Sequence, residues 1–389
     1  MHPSQPVFVL VGGLVRSLPS SIKLTFVSQN RRDTDFRRRD GSVDMQALDQ
    51  ERDRLTAKYT AASLSFSSAD NSSNTPAKRA NTRFLDYDGK SLWTGSIQVG
   101  TPPRSYNVYY DTASTDLSLP FDREEDELQS IQYLVAGSAG NGILVRDTVT
   151  IGLSTVINQD VVAQEVIGSS VASRASDGVG LGFRDLSAAR SYSFPFTLFQ
   201  QTGSKTFSML LSRIPGNSRL TFGVDRNIIG SNPVFYPVAK DPDSSWRTFW
   251  QIGQSTAFIN GTQAWAGRDN FILDSGSSLI IAPPDAAAEF WSRFSGSRAE
   301  GSGYYSYACN NPPVVELSFG NSEQRFAINH EDFNIGSVAN DATRCLGAVV
   351  GQDLNLYSSW VIGEAFFKSW LLIFDVSVPR IGIAKPKIL

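Results

Sequence analysis

Short apolar runs separated by turn-forming residues fill most of the chain after residue 80. Apolar and polar positions alternate within many of these runs, and Gly, Pro, Asn and Asp stand between them, which is typical of β-strands. The runs include SYNVYY, GILVRDTVTIGL, RLTFGV, NFILD, SLIIAP, VVELSF and LLIFDV. Helical spacing appears only locally, as in DAAAEFWSRF at 285–294. The pattern predicts an all-β architecture with a few short helices.

The first part of the chain has a different pattern. Residues 7–15, VFVLVGGLV, form an apolar stretch that is too short to span a membrane and has the size of a signal-peptide core. We therefore predict a signal peptide over residues 1–20. Residues 44–62 contain no Gly or Pro and have a helix-favouring composition. This stretch predicts a small helical pro-segment.

A polar segment follows the predicted helix. Residues 63–82 are rich in Ser and Asn, cannot bury a core, and predict an exposed linker. The linker contains a dibasic pair, Lys78 and Arg79, at the point where the charge balance of the chain reverses. We interpret this pair as a processing site, so that residues 21–79 are a propeptide and linker.

Charge and composition limit the kinds of partner and catalytic site that the chain can have. The first 79 residues hold 12 Lys+Arg against 8 Asp+Glu, whereas the remaining residues hold 23 against 30. A basic leader ahead of an acidic body favours an intramolecular partner over nucleic acid. With only 2 His and 2 Cys among 389 residues, histidine-based triads, histidine metal sites and cysteine clusters are disfavoured. If the protein is an enzyme, its carboxylates are the candidates for catalysis.

Two segments 163 residues apart share one pattern. In YYDTAST, with Asp111, and in ILDSGSS, with Asp274, an apolar strand delivers an aspartate and small hydroxyl residues follow. A proline comes nine positions after each aspartate. A second pair of similar segments follows, DGVGLGF at 177–183 and WVIGEAF at 360–366. We infer two similar lobes that each contribute one aspartate at the end of a strand.

Paired aspartates of this kind have a specific chemical meaning. Two carboxylates that meet in a cleft cannot both be ionised at short range, so they share a proton. One acts as general base on a water molecule while the protonated partner polarises a carbonyl group. Neighbouring hydroxyls can fix the carboxylates by hydrogen bonds. We predict Asp111 and Asp274 as catalytic, and these supporting hydroxyls: Thr112, Ser114, Ser275 and Ser277.

These motifs make the chain resemble a pepsin-like aspartic peptidase of the secreted fungal type, over about residues 87–386. Besides the two aspartate motifs, the resemblance rests on YDGKSLWTGSIQVGTPP at 87–103, RLTFGVD at 219–225, FWQI at 249–252 and WVIGEAFFKSWLLIFDVSVPRIGIA at 360–384. It implies a bilobal fold of two β-barrel lobes, 80–237 and 238–389, with a cleft that binds an extended peptide. It also implies peptide-bond hydrolysis at acid pH.

The resemblance assigns roles to further residues. Tyr133 resembles the tyrosine of the flap that closes over the substrate. Cys309 and Cys345 lie where the family has a disulfide, and a loop of 36 residues closed in this way stabilises by about 3.8 kcal/mol in the chain-entropy model. Lys58, followed by Tyr59, resembles the lysine that keeps a zymogen inactive by placing its ammonium group on the catalytic carboxylates.

Several departures from the family keep another hypothesis open. Ala113 stands where the family has Gly, and only 12 residues separate Pro120 from Tyr133. These features favour, as the alternative, a catalytically weakened or inactive peptide-binding protein of the same fold. A glycoside hydrolase with two carboxylates is a further hypothesis, although such enzymes need dissimilar acid and base environments.

The remaining expectations concern location and partners. We expect a monomer that is secreted or vacuolar, that acts on extended peptides or denatured proteins, and that binds its own propeptide. We expect no cofactor, no metal, no nucleic acid and no membrane partner. Asn260 begins an Asn-Gly-Thr sequence, which is a glycosylation acceptor in a secreted chain.

Overall fold

Strands dominate the structure, as the apolar pattern predicts. The computed structural model describes residues 21–25, 36–38, 40–67, 93–121, 133–137, 140–165, 178–187, 189–213, 217–241, 247–356 and 358–387. The helices in these ranges are α1 (Met45–Ser67), α2 (Phe194–Thr202), α3 (Pro284–Ser292), α4 (His330–Phe333) and α5 (Glu364–Phe367). Within the described ranges, no helix has both the length and the apolar character needed to cross a membrane. The all-β prediction is confirmed.

One sheet lies entirely in the first lobe. Its strands are β2 (Thr94–Val99), β3 (Arg104–Asp111), β4 (Leu117–Phe121), β5 (Tyr133–Gly137), β6 (Gly140–Ile151), β7 (Ser154–Glu165) and β8 (Gly178–Gly180). They are ordered β2-β3-β8-β4-β7-β6-β5. β8 is parallel to β3 and antiparallel to β4, so it lies between the strand that ends at Asp111 and the strand that follows it.

The second lobe contains two sheets. The larger one holds β12 (Gln251–Ile259), β13 (Thr262–Gln263), β14 (Asp269–Leu273), β15 (Ile280–Ala282), β18 (Val315–Ser318), β19 (Arg325–Ile328), β22 (Val349–Gly351) and β23 (Ser359–Ile362). The smaller one is ordered β16 (Arg298–Gly301), β17 (Tyr304–Ala308), β21 (Asp341–Gly347) and β20 (Asn334–Val338). β23 is parallel to β14 and antiparallel to β15. This is the arrangement of β3, β8 and β4, so the two sequence echoes correspond to one repeated structural unit.

A six-stranded sheet joins the two lobes. It is ordered β1 (Ser21–Thr25), β10 (Arg219–Gly223), β9 (Thr206–Leu210), β24 (Leu371–Asp375), β25 (Arg380–Ala384) and β11 (Val234–Pro237). Strands from the predicted pro-segment and from both lobes therefore pair in one sheet. The predicted boundary between residues 237 and 238 falls at the end of β11 and stays a prediction.

The lobes also share an aromatic core around Trp250. This side chain is fully buried, and its ring centroid lies 4.4 Å from that of Phe183, 5.8 Å from that of Phe207 and 5.1 Å from that of Phe374. Burying each such side chain stabilises by about 1.5–3 kcal/mol. The Trp250 indole N–H also donates to the Leu181 carbonyl at 2.9 Å. This core holds both lobes in a fixed relative position behind the cleft.

Helix α1 confirms that the predicted pro-segment contains a helix, and its role as a pro-segment stays a prediction. The carboxylate of Asp44 accepts hydrogen bonds from the N–H groups of Gln46 and Ala47, at 3.1 and 3.3 Å, and so caps its start. The prediction that the linker starts at residue 63 is wrong, because the helix continues to Ser67. No Gly or Pro stands in this stretch to end the helix. Residues 1–20, the rest of the linker, and the Lys78–Arg79 pair lie outside the described residues.

Candidate active site

The two aspartates reach the centre of the molecule by equivalent routes. Asp111 is the last residue of β3 and Asp274 directly follows β14, and both are buried. The carbonyl of Asp111 accepts the Leu181 N–H at 2.8 Å, and the N–H of Asp274 donates to the Ile362 carbonyl at 3.0 Å. In each lobe the parallel neighbour, β8 or β23, thus fixes the strand end that carries the aspartate.

Two hydroxyl groups connect the aspartate loops across the lobes. The Thr112 hydroxyl donates to the Leu273 carbonyl at 2.7 Å and accepts the Ser275 N–H at 2.9 Å. The Ser275 hydroxyl donates to the Tyr110 carbonyl at 2.9 Å and accepts the Thr112 N–H at 3.1 Å. Buried main-chain groups at strand ends need such partners. These hydroxyls therefore hold loop against loop, whereas the sequence predicted that they bond the carboxylates.

The other two predicted hydroxyl residues have local contacts. The Ser277 hydroxyl donates to the Leu279 carbonyl at 3.0 Å within its own loop. Ser114 accepts the Gly182 N–H at 2.8 Å on its main-chain carbonyl. The contacts described for both residues thus stabilise the loops. Their predicted support of the carboxylates stays a prediction.

Main-chain N–H groups orient the carboxylates instead. The N–H of Ala113 donates to Oδ1 of Asp111 at 2.9 Å, and the N–H of Gly276 donates to Oδ1 of Asp274 at 2.8 Å. Aspartates commonly accept such a bond from the residue two positions on. Ala113 does not have a positive φ, so this position does not require the conformational freedom of Gly. The departure from the family at Ala113 leaves the carboxylate contact intact.

Helix α1 places a lysine on both aspartates. Nζ of Lys58 lies 2.8 Å from Oδ1 of Asp111, and 2.8 and 2.9 Å from the two carboxylate oxygens of Asp274. The Tyr59 hydroxyl donates to Oδ2 of Asp274 at 2.8 Å. Only 13% of the Lys58 side chain is exposed. A single ammonium group therefore bridges the two carboxylates in a largely buried site.

The electrostatics of the pair are asymmetric. Burial works to raise the pKa of Asp111, but the charge and the hydrogen bond of Lys58 outweigh it and lower that pKa below the ordinary value. Burial raises the pKa of Asp274 to about 6, with Lys58 opposing and the charge of Asp111 adding to the rise. Burial and the two carboxylates hold the pKa of Tyr59 well above its ordinary range. In this arrangement Asp111 is the member that stays ionised at lower pH.

A second contact of α1 with the site was missed by sequence reasoning. Glu51 is fully buried, and its carboxylate accepts the Ser278 N–H at 3.2 Å. Arg54 forms an ion pair with Glu51 and also donates to the Gly276 carbonyl. The signal was present in the sequence, because Glu51 lies on the helical face that Leu48 and Leu55 also occupy.

The remaining predicted residues lie elsewhere. Tyr133 begins β5, which pairs with β6, but its side chain lies outside the described part of the structure. Cys309 and Cys345 form the expected disulfide. Asn260 is exposed in the turn between β12 and β13, and its side-chain oxygen accepts the Val314 N–H at 2.8 Å. Among the described side chains, no group of three or more His, Cys, Asp or Glu could hold a metal ion.

Comparison with known proteins assigns the family. A sequence model described as eukaryotic aspartyl protease matches residues 118–386, a range that includes Asp274 and begins after Asp111. The chain is 28% identical over 332 residues to an aspartic protease from Phaffia rhodozyma, with 78% of each chain covered. It is 25% identical over 329 residues to rhizopuspepsin-1 from Rhizopus niveus, covering 77% of this chain and 80% of the relative.

A third relative is the vacuolar protease A of Aspergillus fumigatus, to which the chain is 24% identical over 321 residues, with 75% of this chain and 78% of the relative covered. The family match spans well over half of the chain. The repeated unit of β3, β8 and β4, with its counterpart in the second lobe, agrees with it. The chain therefore belongs to the eukaryotic aspartyl protease family and is an aspartic-type endopeptidase with a pepsin-like, all-β fold.

Proposed function

We propose that the chain is the precursor of an acid endopeptidase in which Asp111 and Asp274 act together on one water molecule. The observation that supports this most is that a single ammonium group, that of Lys58, contacts both carboxylates within 2.8 Å. Two carboxylates held this close by equivalent loops are suited to sharing a proton.

The proposed reaction follows from this pairing. Once Lys58 has left, a water molecule between the carboxylates loses a proton to the ionised aspartate while its oxygen attacks the peptide carbonyl carbon. The protonated aspartate donates a hydrogen bond and then its proton to the carbonyl oxygen. The C–N bond then breaks as the amide nitrogen receives a proton from one aspartate, while a hydroxyl of the tetrahedral intermediate returns its proton to the other aspartate, so that the dyad again holds one proton. The asymmetry with Lys58 bound favours Asp111 as the ionised member.

In this proposal, helix α1 keeps the precursor inactive. With Lys58 and Tyr59 on the dyad, neither water nor a peptide carbonyl can occupy the same place. Removal of residues 21–79 by cleavage near Lys78 and Arg79 would open the site. The segment of residues 1–20 would direct the chain into the secretory pathway, to the cell exterior or, as the name of the Aspergillus relative suggests, to a vacuole.

Acid weakens the inhibitory contact. Lys58 holds the pKa of Asp111 below its ordinary value, so docking of the helix releases a proton from Asp111 and this contribution becomes less favourable as the pH falls. For Asp111 the stabilisation is complete above the ordinary pKa of 3.8 and is lost as the pH falls through the lowered value. Asp274 takes up a proton near pH 6 while the helix is docked, which leaves Lys58 with one ionised partner.

The substrates in this proposal are extended peptides or denatured proteins that lie along the cleft between the lobes. The protein would act as a monomer, without cofactor, nucleic acid or membrane. Glycosylation at Asn260 is compatible with its exposure in a turn.

The alternative, a catalytically weakened or inactive peptide-binding protein, has less support than the catalytic proposal. It was based on Ala113 and on the short stretch between Pro120 and Tyr133, and of these the Ala113 N–H bonds Asp111 as the Gly276 N–H bonds Asp274. A non-catalytic protein would have no need of a lysine that neutralises both carboxylates.

The test uses the full chain, acidified below the ordinary pKa of its aspartates. We expect processing near Arg79, located by N-terminal sequencing, followed by hydrolysis of a denatured protein. Asp111→Asn and Asp274→Asn should each lower kcat/KM by about 10²–10⁴-fold, whereas Asp341→Asn, at a half-buried aspartate of the second lobe, should not. A processed protein that cleaves nothing, or that cleaves equally well as either variant, would favour the non-catalytic alternative.

A further inference from the structure

One position on the buried face of α1 does not fit an apolar stripe. Leu48, Leu55 and Tyr59 are fully buried at helical spacing, and Glu51 lies on the same face with 0% of its surface exposed. A carboxylate in such a place costs several kcal/mol unless it is paired and hydrogen-bonded. Glu51 must therefore have specific partners.

Its partners belong to the helix and to the loop that carries Asp274. Arg54 donates to both oxygens of Glu51, at 2.8 and 2.9 Å. The same Glu51 carboxylate accepts the Ser278 N–H at 3.2 Å, and Arg54 also donates to the Gly276 carbonyl. The ion pair thus contacts one main-chain donor and one main-chain acceptor beside the dyad.

A main-chain carbonyl and an N–H two residues apart are what an extended peptide uses when it binds along another chain. Arg54 supplies the donor and Glu51 the acceptor that the main chain of such a peptide would supply. We propose that Glu51 and Arg54 form a clamp that replaces the substrate main chain at Gly276 and Ser278. This inference rests on the proposed function, because it takes the cleft beside Asp274 as the place where peptides bind.

The clamp is separate from the lysine on the dyad. Lys58 contacts the carboxylates of Asp111 and Asp274, whereas Glu51 accepts from the Ser278 N–H and Arg54 donates to the Gly276 carbonyl. The loop therefore fits a particular kind of partner, a helix that presents a carboxylate and a guanidinium group three residues apart.

The same helix offers a matched control. Asp49 and Arg52 form a second acid–base pair with the same spacing, 3.8 Å apart. That pair contacts Tyr304 and Gln352 rather than the Asp274 loop. A general loosening of α1 would follow from changes in either pair, whereas loss of the clamp would follow only from changes in Glu51 or Arg54.

The test is hydrogen exchange of the amides in residues 274–280, measured on the uncleaved full chain at neutral pH. We expect Glu51→Ala to raise the exchange rate of Ser278 about tenfold or more, since a charge-assisted bond is lost. Glu51→Gln keeps an acceptor oxygen and should retain most of the protection. Arg52→Ala should leave the rate within about twofold of wild type.

The processing rate of the acidified chain gives a second readout. Arg54→Lys keeps the charge but loses the planar fork that reaches two acceptors, and should speed processing about tenfold, with Arg52→Lys unchanged. Equal effects of the two pairs, or unchanged Ser278 exchange in Glu51→Ala, would overturn the clamp. Hydrogen exchange at Ser278 does not depend on catalysis. A chain that is inactive on every substrate would therefore contradict the proposed function, while the exchange test of the clamp could still be carried out.

Discussion

The two aspartate loops, residues 111–115 and 274–278, lie 163 residues apart in the sequence and have nearly the same hydrogen bonds. In each, an N–H two residues after the aspartate donates to Oδ1. In each, the hydroxyl residue directly after the aspartate donates to a main-chain carbonyl at the strand end of the other lobe. The shared contacts are those that hold the carboxylates and join the loops.

The loops differ at the residue that supplies this N–H. A Cβ atom added to Gly276 would lie 2.8 Å from Cγ of Asp111, whereas Ala113 carries its methyl group and is buried without a positive φ. The two loops therefore have equivalent hydrogen bonds, but they differ in the space available for a side chain at the residue two positions after the aspartate. At Gly276 the approach of the opposite aspartate, Asp111, leaves no room for a side chain.

We expect the largest effect on activity from Gly276→Ala, which adds a side chain to the loop that has no room for one. The new methyl group would displace the Asp111 carboxylate, and a shift of about 1 Å in a catalytic group can cost about 10²-fold in rate. We expect kcat/KM of the processed enzyme to fall by at least that factor. Gly253→Ala is the control, because its nearest added contact is a side-chain oxygen at 3.1 Å. Activity near wild type in Gly276→Ala would mean that the loops are not rigid.

The cross-lobe hydroxyls test the symmetric part of the comparison. Thr112→Val and Ser275→Ala each leave buried main-chain groups without a partner, at a cost of about 1–3 kcal/mol. We expect both to lower the free energy of unfolding by similar amounts in urea titrations. The double variant should lose less than the two losses added, because both hydroxyls belong to one set of bonds. As a control, Thr150→Val, at an exposed hydroxyl pair, should change the free energy of unfolding by less than about 0.5 kcal/mol. Strongly unequal losses of stability in Thr112→Val and Ser275→Ala would contradict the symmetry of the two loops.

The smallest effect is expected from Ala113→Gly, which makes the first loop resemble the second. The N–H that bonds Asp111 is retained, and the added chain freedom costs about 0.5–1 kcal/mol. We expect kcat/KM within about threefold of wild type, measured on the processed enzyme. A large gain in activity would instead identify the Ala113 methyl group as the cause of a weakened first loop.

The catalytic pair could be predicted from the sequence because its signal is local and occurs twice. Asp111 and Asp274 each follow an apolar strand and precede small hydroxyl residues, and two such motifs with matching flanks indicate a pair, whereas one alone would fit an ordinary turn at a strand end. The direction of the Thr112 and Ser275 hydroxyls could not be predicted, since each bonds a residue more than 160 positions away. The burial of Glu51 could have been predicted from its place on the helical face of Leu48 and Leu55. The partners of the Glu51–Arg54 pair, Ser278 and Gly276, could not, since they lie more than 200 positions away.

The predicted pro-segment is held at two separate places, by β1 in the sheet that joins the lobes and by α1 in the cleft. A chain cut after α1 therefore remains a bivalent ligand of the enzyme that it came from. While either attachment persists, the other rebinds at an effective concentration set by the connecting residues, in the millimolar range for a short flexible connection. Opening of the site then depends on the simultaneous loss of both attachments, and the fraction of open enzyme should increase on dilution.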